Sequence, residues 1–350
     1  MDILTLFKQA TERGASDLHL IAKHYPTLRI NSELYPIRTE KVLENDDIKD
    51  MIVGILSEEQ KENLFANKEL DFGYDFEQSR FRVNAYYAKG SLAAAFRLIG
   101  SSIRTIEELG LPAMFHDFTM PRQGFVLITG PTGEGKSTTL ASIINEINQK
   151  YARHIITIED PVEYVYPQGR SIISQRELHQ DTHSWNVALK SVLREDPDVV
   201  LIGEMRDYET IQLALTIAET GHLVFSTLHT ASASETINRI VDVFPSQQQN
   251  QIRLQLASVL RAVIAQRLVP RIDGNGRVPA IEVLHNIPAV SSVIRDARTH
   301  LLDNIMETNE AQGLYIFEKY LSMLVDKGLI NRDTAYEYAL RPALIKKFIP

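Results

Sequence analysis

Hydrophobic and polar positions divide this chain into four stretches. Residues 1–100 mix short helical and strand-like patterns, as a small α/β domain does. Ile3, Leu6, Phe7 and Ala10 share one helical face and predict a helix over about 2–13 that packs rather than anchors in a membrane. Asp17–Ile21, Pro26–Asn31 and Glu33–Ile37 read as strands, the last two joined by a turn at Asn31-Ser32. Ile48, Met51, Ile52 and Ile55 predict a helix over 46–66, and strands follow around 70–76, 80–87 and 92–99. In Arg80-Phe81-Arg82-Val83-Asn84-Ala85-Tyr86 polar and apolar residues alternate, so one face is buried and the other carries arginines. Residues 101–112, with breakers at Gly110 and Pro112, read as a linker. Residues 113–270 alternate strands with helices, the pattern of a parallel sheet covered on both faces, with strands expected at 125–129, 154–158, 199–203 and 223–228. Residues 271–350 read as mainly helical.

Composition narrows the picture modestly. The 350 residues fit two domains, and a hydrophobic content of 44% is ordinary for a globular chain. There is no cysteine, which removes disulfides, thiol nucleophiles and cysteine-based metal sites. The apolar runs are strand-length, so no membrane-spanning helix is expected, and the first residues lack a signal-peptide layout. A net charge of −8 argues against a surface built to bind nucleic acid.

One segment carries most of the chemistry. Gly130-Pro131-Thr132-Gly133-Glu134-Gly135-Lys136-Ser137-Thr138 fits the phosphate-loop pattern G-x-x-x-x-G-K-[ST]. A buried-strand run, Phe125–Thr129, enters it, and Leu140, Ile143, Ile144 and Ile147 continue it as a helix. Such a loop turns backbone N–H groups and a helix N-terminus toward phosphate. Lys136 is then the side chain for the β- and γ-phosphates and Ser137 a ligand for Mg²⁺. ATP and Mg²⁺ are the expected cofactors.

Three downstream segments follow strands. Glu159, Asp160 and Glu163 cluster after His154–Ile158, where Pro161 breaks the strand; by themselves they read equally as a solvated turn or a ligand edge. Val199–Ile202 followed by Gly203-Glu204 matches a Walker B strand, whose carboxylate holds Mg²⁺ or polarises water. His222 and His229 flank the strand over 223–228; each is either structural or placed to sense phosphate.

Taken in order, these motifs resemble the type II/type IV secretion ATPase superfamily, and within it the PilT-type pilus retraction ATPases. The phosphate loop, Ile158–Tyr164, Arg194–Asp198 with Gly203–Asp207, and Glu219–His222 through Leu228–Thr230 look like its Walker A, Asp box, Walker B and His box. Gly14–Leu20 and Arg80–Asn84 also look like that subfamily. The resemblance implies a PAS-like N-terminal domain and a RecA-like P-loop ATPase domain ending in helices. It implies a cytoplasmic homohexameric ring, peripheral to the inner membrane, with ATP between the two domains and help from a neighbouring subunit. The partners implied are an inner-membrane platform protein and a second retraction ATPase; no nucleic acid is expected.

Carried over residue by residue, Lys136 and Ser137 meet phosphate and Mg²⁺, and Glu163 is the base for water. Glu204 acts on the Mg²⁺ side, and His222 and His229 sense nucleotide. Arg82 and Arg97, and more weakly Arg80, reach the γ-phosphate from the N-terminal domain. Glu134 stands where the family usually has Ser, and its side chain is expected to turn outward. Ala289–Arg295 matches the family's C-terminal retraction segment only loosely. Assembly motors generally carry a further N-terminal domain and often a four-cysteine zinc module, which favours retraction over pilus assembly or type II secretion. A PilU-like accessory motor, a nucleic-acid translocase and a non-hydrolysing nucleotide-gated module are the other readings.

Overall fold

The computed structural model describes residues 2–30, 33–77, 79–99 and 102–349, so the turn expected at Asn31-Ser32 lies outside the described residues. Packing divides the chain into two compact units, Met1–Ser102 with Pro161–Val165, and Ile103–Asp160 with Tyr166–Pro350.

The first unit is built on an antiparallel sheet of β1 (Asp17–Leu20), β2 (Thr27–Ile30), β3 (Glu33–Pro36), β4 (Glu69–Phe76), β5 (Ser79–Ala88) and β6 (Ser91–Ile99). Its strand order is β3-β2-β1-β6-β5-β4. Alternation along β5 buries Phe81, Val83 and Ala85 on one face. The helix Ile3–Glu12 packs on that core through Ile3, Leu6, Phe7 and Ala10, with the Phe7 ring stacked 4.5 Å from that of Phe81. The helix expected over 46–66 is two helices, Asn45–Val53 and Glu58–Asn67. Ser57 explains the break. Its hydroxyl accepts the Gln60 N–H at 3.3 Å while Gln60 Oε1 accepts the Ser57 N–H at 3.0 Å, a reciprocal cap that starts a new helix.

The second unit holds a sheet of β7 (Gly124–Thr129), β8 (His154–Glu159), β9 (Ile172–Glu177), β10 (Val199–Ile202), β11 (Leu223–Leu228), β12 (Leu260–Pro270) and β13 (Arg277–His285). Their order is β13-β12-β7-β11-β10-β8-β9, and only β13 runs antiparallel to its neighbour. The central strands are buried at every position, and mostly apolar, because both faces are covered. Phe125, Leu127, Ile158 and Val224 face one core, with helices 208–219, 233–242 and 246–259. Val126, Ile128, Ile155 and Phe225 face the other, with helices 136–150 and 317–326.

Two boundaries differ from expectation. Ile106 and Leu111, from the segment read as a linker, are buried in the second unit's core. The division expected at 270/271 cuts a hairpin: β12 and β13 pair from Ala262–His285 to Pro270–Arg277, joined through Asp273-Gly274-Asn275-Gly276. Residues 288–348 are mainly helical, but β13 belongs to the sheet. Among the described residues no helix is long and apolar enough to cross a membrane.

Asn148, at the end of the helix Lys136–Lys150, ties down the segment that leads into β9. Its side-chain amide donates to Pro167 O at 2.8 Å, and its carbonyl accepts from Arg170 and Ser171. A Cβ on Gly169 would lie 2.3 Å from Asn148 Oδ1 and 2.7 Å from its carbonyl oxygen. Gly169→Ala is therefore expected to lower unfolding free energy by about 2 kcal/mol, seen as a lower urea midpoint. An unchanged midpoint would show that this contact yields without cost.

Candidate nucleotide-binding site

The carboxyl edge of the second sheet collects the site. The loop 130–135 leaves β7 there, Glu159 ends β8, Gly203-Glu204 follows β10, and His229 follows β11. All four strands are parallel, so sequence segments up to a hundred residues apart emerge side by side.

The loop is shaped by the strand next to β7. Gly130 has φ +144°, and a Cβ there would stand 2.3 Å from the carbonyl oxygen of Gln266 on β12. Gln266 is buried, and its side chain bridges loop and helix: Nε2 donates to Glu134 O at 2.6 Å, and Oε1 accepts from Thr139 Oγ1 at 2.8 Å. Pro131, Thr132 and Gly133 are exposed, Glu134, Gly135, Ser137 and Thr138 half-buried, and Lys136 buried. Lys136 Nζ donates to the carbonyls of Gly130 at 2.7 Å and Pro131 at 2.9 Å, across the mouth of the loop. The helix that starts at Lys136 presents its N-terminal N–H groups at the same place.

Glu134 does not turn into solvent. Its Oε2 accepts the backbone N–H of Leu268 on β12 at 2.5 Å. The carboxylate is thus directed onto the neighbouring strand, and the loop is held to β12 from both its backbone and its side chain.

Glu204 and His229 meet, with His229 Nε2 at 3.2 Å from Glu204 Oε2, and Arg206 pairs with the other carboxylate oxygen. Behind them lies a set of buried hydroxyls. Thr230 Oγ1 is 2.6 Å from Thr236 Oγ1, which donates to Ser232 O at 2.7 Å and lies 3.5 Å from Thr129 Oγ1 at the end of β7. Glu159 accepts from Thr157 Oγ1 at 2.7 Å, and its backbone lies against Gly203, where a Cβ would meet Glu159 Cα at 3.4 Å.

His222 is elsewhere. It precedes β11, at the amino edge of the sheet, with its Nδ1 2.9 Å from the carbonyl of Ile217 near the C-terminus of helix Tyr208–Glu219. A six-residue strand separates it from His229, roughly 20 Å at ordinary strand rise. The expectation that His222 joins His229 in one chain's site is corrected by the direction of β11.

Arg80, Arg82, Arg97 and Glu163 fall in the first unit. Glu163 is half-buried in the segment Pro161–Val165. Register aligns Arg29, Asp17, Arg97 and Arg82 in one row across β2, β1, β6 and β5. Arg97 Nε lies 3.0 Å from Asp17 Oδ1, Arg82 Nη2 2.6 Å from Asp71 Oδ2, and Arg80 Nη1 2.6 Å from Asp75 Oδ1. The arginine face is therefore an alternating charge lattice rather than a bare basic patch.

Gln266, Leu268 and the Thr129–Thr230–Thr236 set had not been singled out from sequence. The hairpin signal at Asp273–Gly276, between two apolar runs, was the cue that would have exposed β12. For Mg²⁺ the donor chemistry fits: Ser137 and Glu204 carry the hard oxygen atoms that could hold it. Among the described residues no three His, Cys, Asp or Glu side chains gather to hold a metal.

A glycine loop bedded on a parallel sheet, with a carboxylate–histidine pair at the same edge, defines a P-loop nucleotide-binding domain. Residues 76–320 match the family model described as "Type II/IV secretion system protein". The chain is 43% identical over 343 residues to the Pseudomonas aeruginosa type IV pilus retractation ATPase PilT, covering 98% of this chain and 99% of that one. It is 37% identical over 340 residues to the type IV pilus ATPase PilU of the same organism, covering 97% and 89%. A crystal structure of the pilus retraction motor PilT with bound ADP superposes with a TM-score of 0.92 at 42% identity, covering 99% of both chains. This chain belongs to the type II/IV secretion system protein family. Its fold is the family's, an N-terminal α/β domain followed by a P-loop ATPase domain.

Since Glu134 faces β12, Glu134→Ser should leave ADP affinity within about three-fold, because a carboxylate directed away from phosphate exerts little Coulomb effect through water. It should cost stability by about 1 kcal/mol through the lost bond to Leu268. Isothermal titration and denaturant melts read the two arms. A large gain in ADP affinity would place the carboxylate at the phosphates instead.

Proposed function

We propose that this chain is an ATP-hydrolysing motor of the PilT type that powers type IV pilus retraction. One observation carries the reading: the phosphate loop, Glu204 and His229 share one sheet edge in a chain that aligns from end to end with a retraction ATPase. The solved relative binds ADP, in keeping with a nucleotide at the equivalent loop.

The proposed roles draw on the geometry of the loop and its sheet edge and, for Glu163 and the arginines, on the family resemblance. Triphosphate takes over the ammonium of Lys136 from the carbonyls of Gly130 and Pro131, and the loop N–H groups hold the phosphate oxygens. Mg²⁺, when bound, neutralises charge developing on the β- and γ-oxygens. Ser137 and Glu204 are the residues that would hold it. His229, in contact with Glu204, is placed to respond when the charge on that carboxylate's surroundings changes. Glu163 is the proposed base for water. Arg82 and Arg97, and less directly Arg80, are proposed to reach phosphate from the N-terminal domain of this or a neighbouring subunit, after exchanging Asp71, Asp17 and Asp75 for the nucleotide. The proposed setting is a cytoplasmic homohexamer acting on an inner-membrane platform protein, alongside a second retraction motor.

The likeness to PilU supports a second reading, an accessory motor that needs another ATPase beside it.

Two outcomes test the proposal. Purified protein should turn over ATP, and Glu204→Ala should lower kcat by about a hundred-fold or more with KM little changed. Unchanged turnover in the variant would remove Glu204 from the chemistry, and no turnover in the wild type would favour the accessory reading. Deleting the gene in a piliated host should give excess pili without twitching. Loss of pili would point to assembly instead.

A further inference from the structure

Far from the phosphate loop in sequence, one arginine joins three carboxylates on three elements. Arg341 Nη2 donates to Glu282 Oε2 on β13 at 2.5 Å. Its Nη1 lies 3.1 Å from Asp303 Oδ2, on the helix Leu302–Thr308. Its Nε lies 3.5 Å from Glu318 Oε2, on the helix Phe317–Asp326, and its backbone N–H donates to Glu318 Oε1 at 2.7 Å. Glu282 and Glu318 have no exposed surface. Carboxylates buried this completely are almost never found without a partner, and removing that partner is costly.

What Glu282 does with its other oxygen gives the cluster a direction. Oε1 accepts the N–H of Ala233 at 2.8 Å, the first residue of the helix Ala233–Asp242. The next residue, Ser234, donates through Oγ to Asp303 Oδ1 at 2.7 Å. The start of this helix is thus held by two carboxylates; Arg341 hydrogen-bonds Glu282 and stands in ion-pair contact with Asp303. The same helix start holds the segment that carries His229. Ala231 N–H donates to Glu235 Oε2 at 2.8 Å, and Thr230 shares its hydroxyl with Thr236, which lies against Thr129 just before the phosphate loop.

We infer that Arg341 and Glu282 are positioning residues for ATP turnover, which set the helix start at 233–236 and through it the His229–Thr230 segment beside Glu204. The inference rests on the proposed ATPase reading. Burial holds the Glu282 carboxyl above the ordinary range, and the guanidinium of Arg341 offsets only part of that shift. The last helix, Pro342–Phe348, begins at Arg341, so the C-terminal segment is anchored in the cluster that steadies the sensor segment.

The test uses the full-length protein carrying Arg341→Lys, which keeps the charge but cannot span three carboxylates, and Glu282→Gln, which keeps an acceptor for Ala233. Hydrogen exchange gives a readout that does not need turnover. In Arg341→Lys, amides at 231–236 should exchange roughly ten-fold faster while those of β8 are unchanged, and Glu282→Gln should show a smaller effect. In the same variant kcat should fall about ten-fold, with the KM for ATP and the affinity for ADP held within about two-fold. Unchanged exchange at 231–236 in a folded variant overturns the inference, and so does faster exchange spread evenly over β8. Unchanged kcat beside faster local exchange overturns the link to turnover. If the wild type hydrolyses no ATP, the ATPase reading has failed, and the positioning role in turnover falls with it; the exchange arm then reports only whether the cluster fixes the helix start.

Discussion

The phosphate loop owes its shape to strand β12. A P-loop is a set of N–H groups aimed at one point, and those groups stay aimed only if something holds the backbone. Here Gly130 passes so close to the carbonyl of Gln266 that no side chain fits, and the amide of Gln266 binds both Glu134 O and Thr139 Oγ1. Glu134, the unusual residue of the loop, adds a charged acceptor for Leu268 N–H instead of crowding the phosphates. The loop is therefore preorganised by a strand that comes some 130 residues later in the chain. An anion site built this way spends little binding energy on ordering its own backbone.

The rest of the site depends on the same edge. Parallel strands deliver Glu159, Glu204 and His229 beside the loop, and the hydroxyls of Thr129, Thr230 and Thr236 tie the end of β7 to the helix that follows His229. Buried hydroxyls that satisfy one another in a dry interior resist small displacements, because each lost bond leaves a polar group unpaired. The cluster of Arg341 with Glu282 continues that order to the C-terminal helices. In the first unit the arginines are stored in ion pairs with Asp17, Asp71 and Asp75 on a half-exposed sheet face. The Arg82–Asp71 pair is part-exposed on both sides, where such pairs are worth about 1 kcal/mol or less, while Asp17 and the Arg80 side chain are largely buried.

How much of this was readable beforehand depended on distance along the chain. The loop, its strand and its helix are local and were evident, as were the four central strands with their turn carboxylates. The break at Ser57 was missed because the apolar period runs on through it, while the capping box that stops it is written in Ser57 and Gln60. The β12–β13 hairpin is hard to read because its antiparallel strand breaks the alternation of strands and crossover helices. With it go Gln266, Leu268 and Glu282, whose partners lie 49 to 134 residues away. His222 was misplaced for a different reason. Both histidines flank the same strand, but a strand has a direction, and a residue that follows a helix end and precedes the strand sits on the amino edge.

Hydrolysis at this edge should be what drives pilus shortening. The most direct measurement is live imaging of labelled pili in a host whose own gene is replaced by the Glu204→Gln form, which keeps the size of the side chain and removes its charge. Pili should still extend while the rate and frequency of shortening collapse. Shortening at the wild-type rate, with the variant present at the wild-type level and no other retraction motor in the cell, would contradict it.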